Sequence, residues 1–148
     1  MARLTVLLLL ALVLYAPSAW PAPKWVAVGT HAARNDATAT VFIDANSIVK
    51  TGKLIRAWVV TDFTEHQEGD WTATDGNSRA YMSYRQLLVI DCRTKDMGYG
   101  SWAALDGRMG TGSVVHSIAV PVPTTASFPA APGTIGEAIV SGACKRAK

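Results

Sequence analysis

From Trp25 onward the chain repeats one pattern: short runs rich in β-branched and aromatic residues, each closed by glycine, proline or a polar cluster. Such runs predict strands joined by turns. They are Trp25–Gly29 (WVAVG), Ala39–Asp44 (ATVFID), Leu54–Phe63 (LIRAWVVTDF), Arg79–Cys92 (RAYMSYRQLLVIDC), Met97–Leu105 (MGYGSWAAL) and Gly112–Val120 (GSVVHSIAV). Asp44 to Ser47 breaks the second run, Ile48-Val49 resumes it briefly, and Lys50-Thr51-Gly52-Lys53 turns the chain. Strands that follow one another through turns predict an antiparallel meander. The Leu54–Phe63 run has no clean polar face, which predicts that both of its sides are partly covered. Two glycines, Gly98 and Gly100, predict a weakened or bulged Met97–Leu105 strand.

Three stretches break the two-residue period. Thr64 to Ser78 is polar and aperiodic, and reads as a surface loop. Pro121 to Pro132 (PVPTTASFPAAP) cannot pair regularly and is predicted to run extended over the surface. After Pro132-Gly133, Thr134-Ile135-Gly136-Glu137 has the spacing of a helix capping box. Ile135, Ala138 and Ile139 then share one helical face, Gly142 reads as the stop, and Cys144 falls just beyond it.

The N-terminus follows a different rule. Arg3 precedes an apolar run from Leu4 to Tyr15, which Ala16-Pro17-Ser18 ends. At about 12 residues the run is short of the roughly 20 that span a bilayer, and it reads as a secretory signal peptide. Residues 1–18 are the expected signal and 19–148 a single domain, of roughly 125 to 130 residues, enough for one core. No cysteine follows the run to carry a lipid, so the expected location is periplasmic or secreted rather than surface-anchored, with no stable membrane insertion once the signal is cleaved.

Export makes the two cysteines a pair. In an oxidising compartment Cys92 and Cys144 read as one disulfide. It closes a loop of about 50 residues and is worth about 4 kcal/mol in the chain-entropy model. The bond clamps the Arg79–Cys92 strand to the C-terminal helix. Side chains alternate along a strand, so Ala80, Met82, Tyr84, Gln86, Leu88 and Ile90 should share the side of Cys92 and face the helix. Arg79, Tyr81 and Arg85 should turn outward. The predicted fold is therefore α+β: a curved antiparallel sheet of about six strands with one C-terminal helix tethered by a disulfide.

Charge and chemistry narrow the function by what they lack. The formal net charge is +3, and loss of Arg3 with the signal makes it +2, too little to argue for nucleic acid. His31, His66 and His116 have no metal-site spacing, and no cofactor motif is present. No serine sits in a Gly-x-Ser-x-Gly elbow, and no helix follows Gly107, Gly110 and Gly112 to make them a phosphate loop. Asp62, Glu65 and His66 are the acid/base grouping that a hydrolase reading would use, and a charged loop supplies such neighbours by chance. Trp71, Arg79, Tyr81 and Arg85 bring together residue types enriched at interface anchors, and form the candidate partner-binding surface.

The placed motifs resemble the surface-adhesin protein E family of bacterial exported proteins. The resemblance is carried by Trp25 to Gly29, Val41-Phe42-Ile43-Asp44 with Ser47-Ile48, Ile55-Arg56-Ala57-Trp58, Tyr84 to Cys92, and Pro132-Gly133-Thr134-Ile135-Gly136-Glu137-Ala138 with Cys144. It implies a curved antiparallel sheet of about six strands tied to a C-terminal helix, and adhesion to extracellular matrix proteins. It carries no adhesive residue over by position. The leading reading is an exported, non-enzymatic binding module with a protein partner and no cofactor. A periplasmic small-ligand carrier using the space between helix and sheet is the second reading, and a hydrolase the third. The open sheet has edges through which a homodimer could form.

Overall fold

A computed structural model describes residues 21–72 and 78–147; the expected signal, residues 1–18, lies outside the described residues. The strands are β1 (Trp25–Ala32), β2 (Thr38–Asp44), β3 (Val49–Thr51), β4 (Leu54–Thr72), β5 (Ser78–Asp91), β6 (Asp96–Leu105), β7 (Val114–Ile118) and β8 (Phe128–Pro129). They make one sheet in the order β1-β2-β4-β5-β6-β7, with β3 added to β4 and β8 to β6. Each of these pairs is antiparallel. One helix, α1 (Ile135–Arg146), closes the chain. The predicted fold class is the observed one.

Local chemistry sets the corners. The Asp44 carboxylate accepts the Lys24 and Asn46 N–H groups at 2.8 and 3.0 Å and starts a 3-10 turn at Ala45–Ser47. The Ser47 hydroxyl donates to the Asp44 carbonyl at 2.8 Å and accepts the Trp58 N–H at 2.9 Å, which ties that turn to β4. At the β5–β6 hairpin, Asp91 Oδ1 accepts the N–H groups of Arg93 and Thr94. The Thr134 hydroxyl caps α1 by accepting the Glu137 N–H, and a Glu137 carboxylate oxygen accepts the Gly133 N–H at 2.8 Å. That is the capping box of the sequence, turned by one residue toward Gly133.

Helix and sheet bury one core between them. Val41, Ile43, Ile55, Ala57, Val59, Leu88, Ile90 and Met97 meet Ile139, Val140 and Ala143. The Cys92–Cys144 bond is formed and ties the end of β5 to α1 across a sequence separation of 52. Two glycines let the helix come close. A Cβ on Gly29 would lie 2.7 Å from Ile135 Cδ1, and one on Gly142 would lie 2.7 Å from Val28 Cγ1.

Several expectations need correction. Gly142 does not stop α1: it is buried inside the helix, and Cys144 is a helical residue. The contact with Val28 and Ile43 explains the glycine, since a larger residue would push the helix off the sheet. The stretch read as a loop from Thr64 is strand as far as Thr72. Its polar residues still pair with β5, and Gln67 is buried with its amide donating to the carbonyls of Arg34, Glu65 and His66. The proline-rich segment does pair at one point, where Phe128–Pro129 lies against Asp96 and Met97. The Ser127 and Ala130 N–H groups make the bonds there, and the proline, which has no N–H, loses nothing. Met82 is half-buried and stands outside the core cluster.

Candidate functional site

The helix covers only part of its side of the sheet. It packs mainly on β1, β2 and β4 and reaches Leu88 and Ile90 of β5 and Met97 of β6, and the same side of the rest of β5 and β6 and of β7 is left to larger side chains. A bulge determines which ones. Gln86 pairs with Trp102 and Leu88 with Tyr99, so β6 has two residues, Gly100 and Ser101, where β5 has only Leu87. The extra residue switches the alternation and brings Tyr99 and Trp102 to the same side. The glycine signal in the sequence pointed to this feature.

The result is an aromatic groove. Tyr81, Tyr84, Gln86 and Trp102 line a hollow of about 240 Å³ with no charged residue among them. Phe63 lies behind it, 5.6 Å from the Tyr81 ring edge-on and 5.8 Å from Tyr84. His116 packs against Trp102 at 5.4 Å, and Tyr99 against Phe128 at 5.3 Å. Toward the helix the groove continues into a second hollow of about 340 Å³, which shares Tyr84 and Gln86 and reaches Ile135 and Ile139.

The opposite face of the sheet is built differently. Val60 and Ser83 are buried there beneath a 3-10 turn at Arg108–Gly110, and Val89 is buried farther along the same face. The Ser83 hydroxyl donates to the Gly107 carbonyl at 2.6 Å and accepts the Gly110 N–H at 2.9 Å. Asp62 holds the turn from the other side. Its Oδ2 accepts Arg108 Nε and Nη2 at 2.8 and 2.6 Å, and its Oδ1 accepts the Met109 N–H at 2.6 Å. The hydrogen bond to Asp62 raises the Arg108 pKa above its usual value. Both faces of β4 are thus covered in part, as its unclean alternation predicts.

The structure scatters the predicted partner surface. Arg79 is exposed at the start of β5. Arg85 is on the face away from α1, paired across to Val60 and Ala103, as alternation requires. Tyr81 is not beside it. Between Asp62 and Gln67, β4 has four residues where β5 has only Met82, and this irregularity carries the Tyr81 ring over to Phe63 on the helix-bearing side. Trp71 belongs to β4, and its side chain lies outside the described residues. Tyr84, Gln86 and Trp102 form the groove without having been singled out for binding; the alternation of β5 had marked Tyr84 only as helix-facing. Glu65 and His66 are exposed on the β4 irregularity, while both oxygens of Asp62 are engaged by Arg108 and Met109. Among the described residues no three histidine, cysteine, aspartate or glutamate side chains come together as a metal site.

The family model for surface-adhesin protein E matches residues 25–145, from the first strand to the end of α1. The chain belongs to the surface-adhesin protein E family. Protein E of Haemophilus influenzae has a similar fold: TM-score 0.51 and 16% identity, over 71% of this chain and 76% of that one. A crystal structure of protein E from non-typeable Haemophilus influenzae aligns at TM-score 0.42 and 18% identity, over 70% and 73% of the two chains. Among curated proteins none matches. At these identities the structural likeness concerns the fold, and the family membership rests on the matched model. Membership in an adhesin E family fits an exported or surface protein with an adhesin-like role. Among the described residues no helix is long and apolar enough to cross a membrane.

Proposed function

We propose that this adhesin E domain is an exported, non-enzymatic binding module that seats a protein partner in its aromatic groove. The observation behind the reading is the groove itself: tyrosine and tryptophan rings left uncovered beside the core, around a hollow without charged residues. Aromatic rings of this kind dominate interface energetics because they bury much area at little entropic cost. The β4–β5 ribbon that includes Trp71 and Arg79 would form the outer approach to the site. Extracellular matrix or envelope proteins are the partner class the family suggests. In this reading the signal at residues 1–18 is removed, and residues 19–148 act in the periplasm or medium. In this reading a second copy would pair through the outer edge of β1 or β7.

The test is capture of matrix and envelope proteins on the immobilised mature chain, with Tyr84→Ala plus Trp102→Ala as the comparison. We expect at least about tenfold weaker capture by a variant that still folds, the loss expected at hot-spot aromatics. Capture equal to wild type would move the partner to another surface. A second reading, a small-ligand carrier, is favoured by the hollow between the first turn of α1 and the sheet, lined by Thr61, Leu88, Ile135 and Ile139. Native mass spectrometry of the purified protein would show the co-purifying molecule, and a clean apo mass removes this reading.

A further inference from the structure

We propose that Arg85 anchors a carboxylate-binding site on the face of the sheet away from α1. Arg85 lies on the side of the sheet opposite the aromatic groove, and Trp102 is the residue that borders both hollows. The first observation is that Arg85 has no partner. Among the described residues it makes no hydrogen bond and no ion pair, and its Nε is buried without an acceptor. Buried polar atoms are nearly always satisfied, so a buried Nε without an acceptor calls for a reason. The acid closest to it in the sheet register is Asp62, opposite Ser83, and both Asp62 oxygens are taken by Arg108 and Met109.

The second observation is that the arginine is held. Gly110 lies directly over Arg85 Nε and Cγ, where a Cβ would collide, and its φ of 69° suits glycine. That roof is itself fastened by Ser83 and Asp62. The side chain is therefore packed beneath a pinned turn rather than free to sweep through solvent, which lowers the entropic cost of binding.

The third observation is what surrounds it. Arg85, Trp58, Ser101, Ala103 and Ser117 line a hollow of about 310 Å³ that contains no acidic residue. The Ser101 hydroxyl is engaged with both backbone groups of Val120. The Ser117 hydroxyl and the Trp58 indole N–H have no intramolecular partner among the described residues. The hollow is thus bordered by one positive charge and two donor side chains without an intramolecular partner among the described residues. An ionised carboxylate is acceptor-only, carries one negative charge and matches the planar guanidinium fork. A dianion would leave half of its charge uncompensated. The source is either an aspartate or glutamate side chain of a protein or a free small acid.

The experiment follows the Arg85 Nε–H and Trp58 indole signals of the ¹⁵N-labelled mature, disulfide-intact chain by NMR. The probes are sodium acetate, the peptide Ac-Gly-Glu-Gly-NH2, its neutral counterpart Ac-Gly-Gln-Gly-NH2, and sodium sulfate. We expect saturable shifts with acetate and the glutamate peptide and none with the glutamine peptide. Arg85→Gln should weaken binding by about tenfold or more, as removal of a charge-assisted hydrogen bond does. Ser117→Ala, on an exposed residue, should weaken it several-fold with the fold intact, and serves if Arg85→Gln does not fold. Tighter binding of the glutamate peptide than of acetate identifies a protein side chain as the source, and the reverse identifies a free acid; both support the site. Equal shifts with the glutamine peptide, tighter binding of sulfate, or full retention in both variants would overturn it.

Discussion

The side of the sheet that faces α1 has two halves that solve different problems. The covered half presents small and aliphatic groups: Gly29, Val28, Val41 and Ile43 against Ile135, Ile139, Gly142 and Ala143. The half over β5, β6 and β7 presents Tyr84, Gln86, Tyr99, Trp102 and His116. Where a helix must lie close, side-chain size is limited on both surfaces. Where the helix does not reach, large rings with polar tips shield the core and still meet water. The two halves show that packing tolerance and binding capacity are separate properties of one surface. Changes on the first should appear as lost stability, and changes on the second as lost binding.

The largest expected effect is release of the covering element. Cys92→Ser with Cys144→Ser should cost about 4 kcal/mol in urea unfolding, since the cross-link no longer restrains the unfolded chain. A loss under about 1 kcal/mol would mean that core packing alone holds α1. Next comes Gly142→Val, which places methyl groups into Val28 and Ile43 and should cost about 1–3 kcal/mol by overpacking. Neutral behaviour would show that helix and sheet can separate without penalty. On the uncovered half, Trp102 is half-buried, and Trp102→Ala should cost less than about 3 kcal/mol, where the cost for fully buried tryptophans begins. A larger thermal loss would place Trp102 with the core rather than the binding surface.

The smallest effect concerns pH at the hairpin beside Cys92. The Arg93 N–H, bonded to the Asp91 carboxylate, holds its pKa below the ordinary value of 3.8 against the opposing effect of burial, and the Thr94 N–H and the charges of Arg93 and Lys53 add to it. Because the folded-state pKa is depressed, the ionised group stabilises the fold above about pH 4. That contribution disappears as pH falls through the lowered pKa. Acid unfolding followed by circular dichroism should therefore show a shallower acid limb in Asp91→Asn than in wild type. An unchanged limb would assign the acid sensitivity to other carboxylates.

Much of the fold was legible because its signals are local. Period-two runs located six strands, Thr134 and Glu137 located the helix start, and two cysteines in an exported chain located the clamp. The candidate site was less legible. Alternation placed Leu88 and Ile90 under the helix and Arg85 on the far side, and the structure agrees. The same rule failed for Tyr81, because the count of residues between Asp62 and Gln67 differs from that between Ser83 and Tyr81. Such a mismatch lies between two strands and cannot be seen in either one.

By itself, then, the sequence determined where six of the strands lie, where the helix begins and which cysteines meet, since each of these depends on neighbours along the chain. Tertiary structure alone decided that Gly142 lies inside the helix, that Asp62 is bound to Arg108 while Arg85 has no partner among the described residues, and that Tyr81 joins Tyr84 and Trp102. These depend on register, bulges and close approach between segments far apart in sequence. The physical reason is that period and propensity act over a few residues, whereas exclusion of volume and pairing of charge act between surfaces that exist only once the chain has folded.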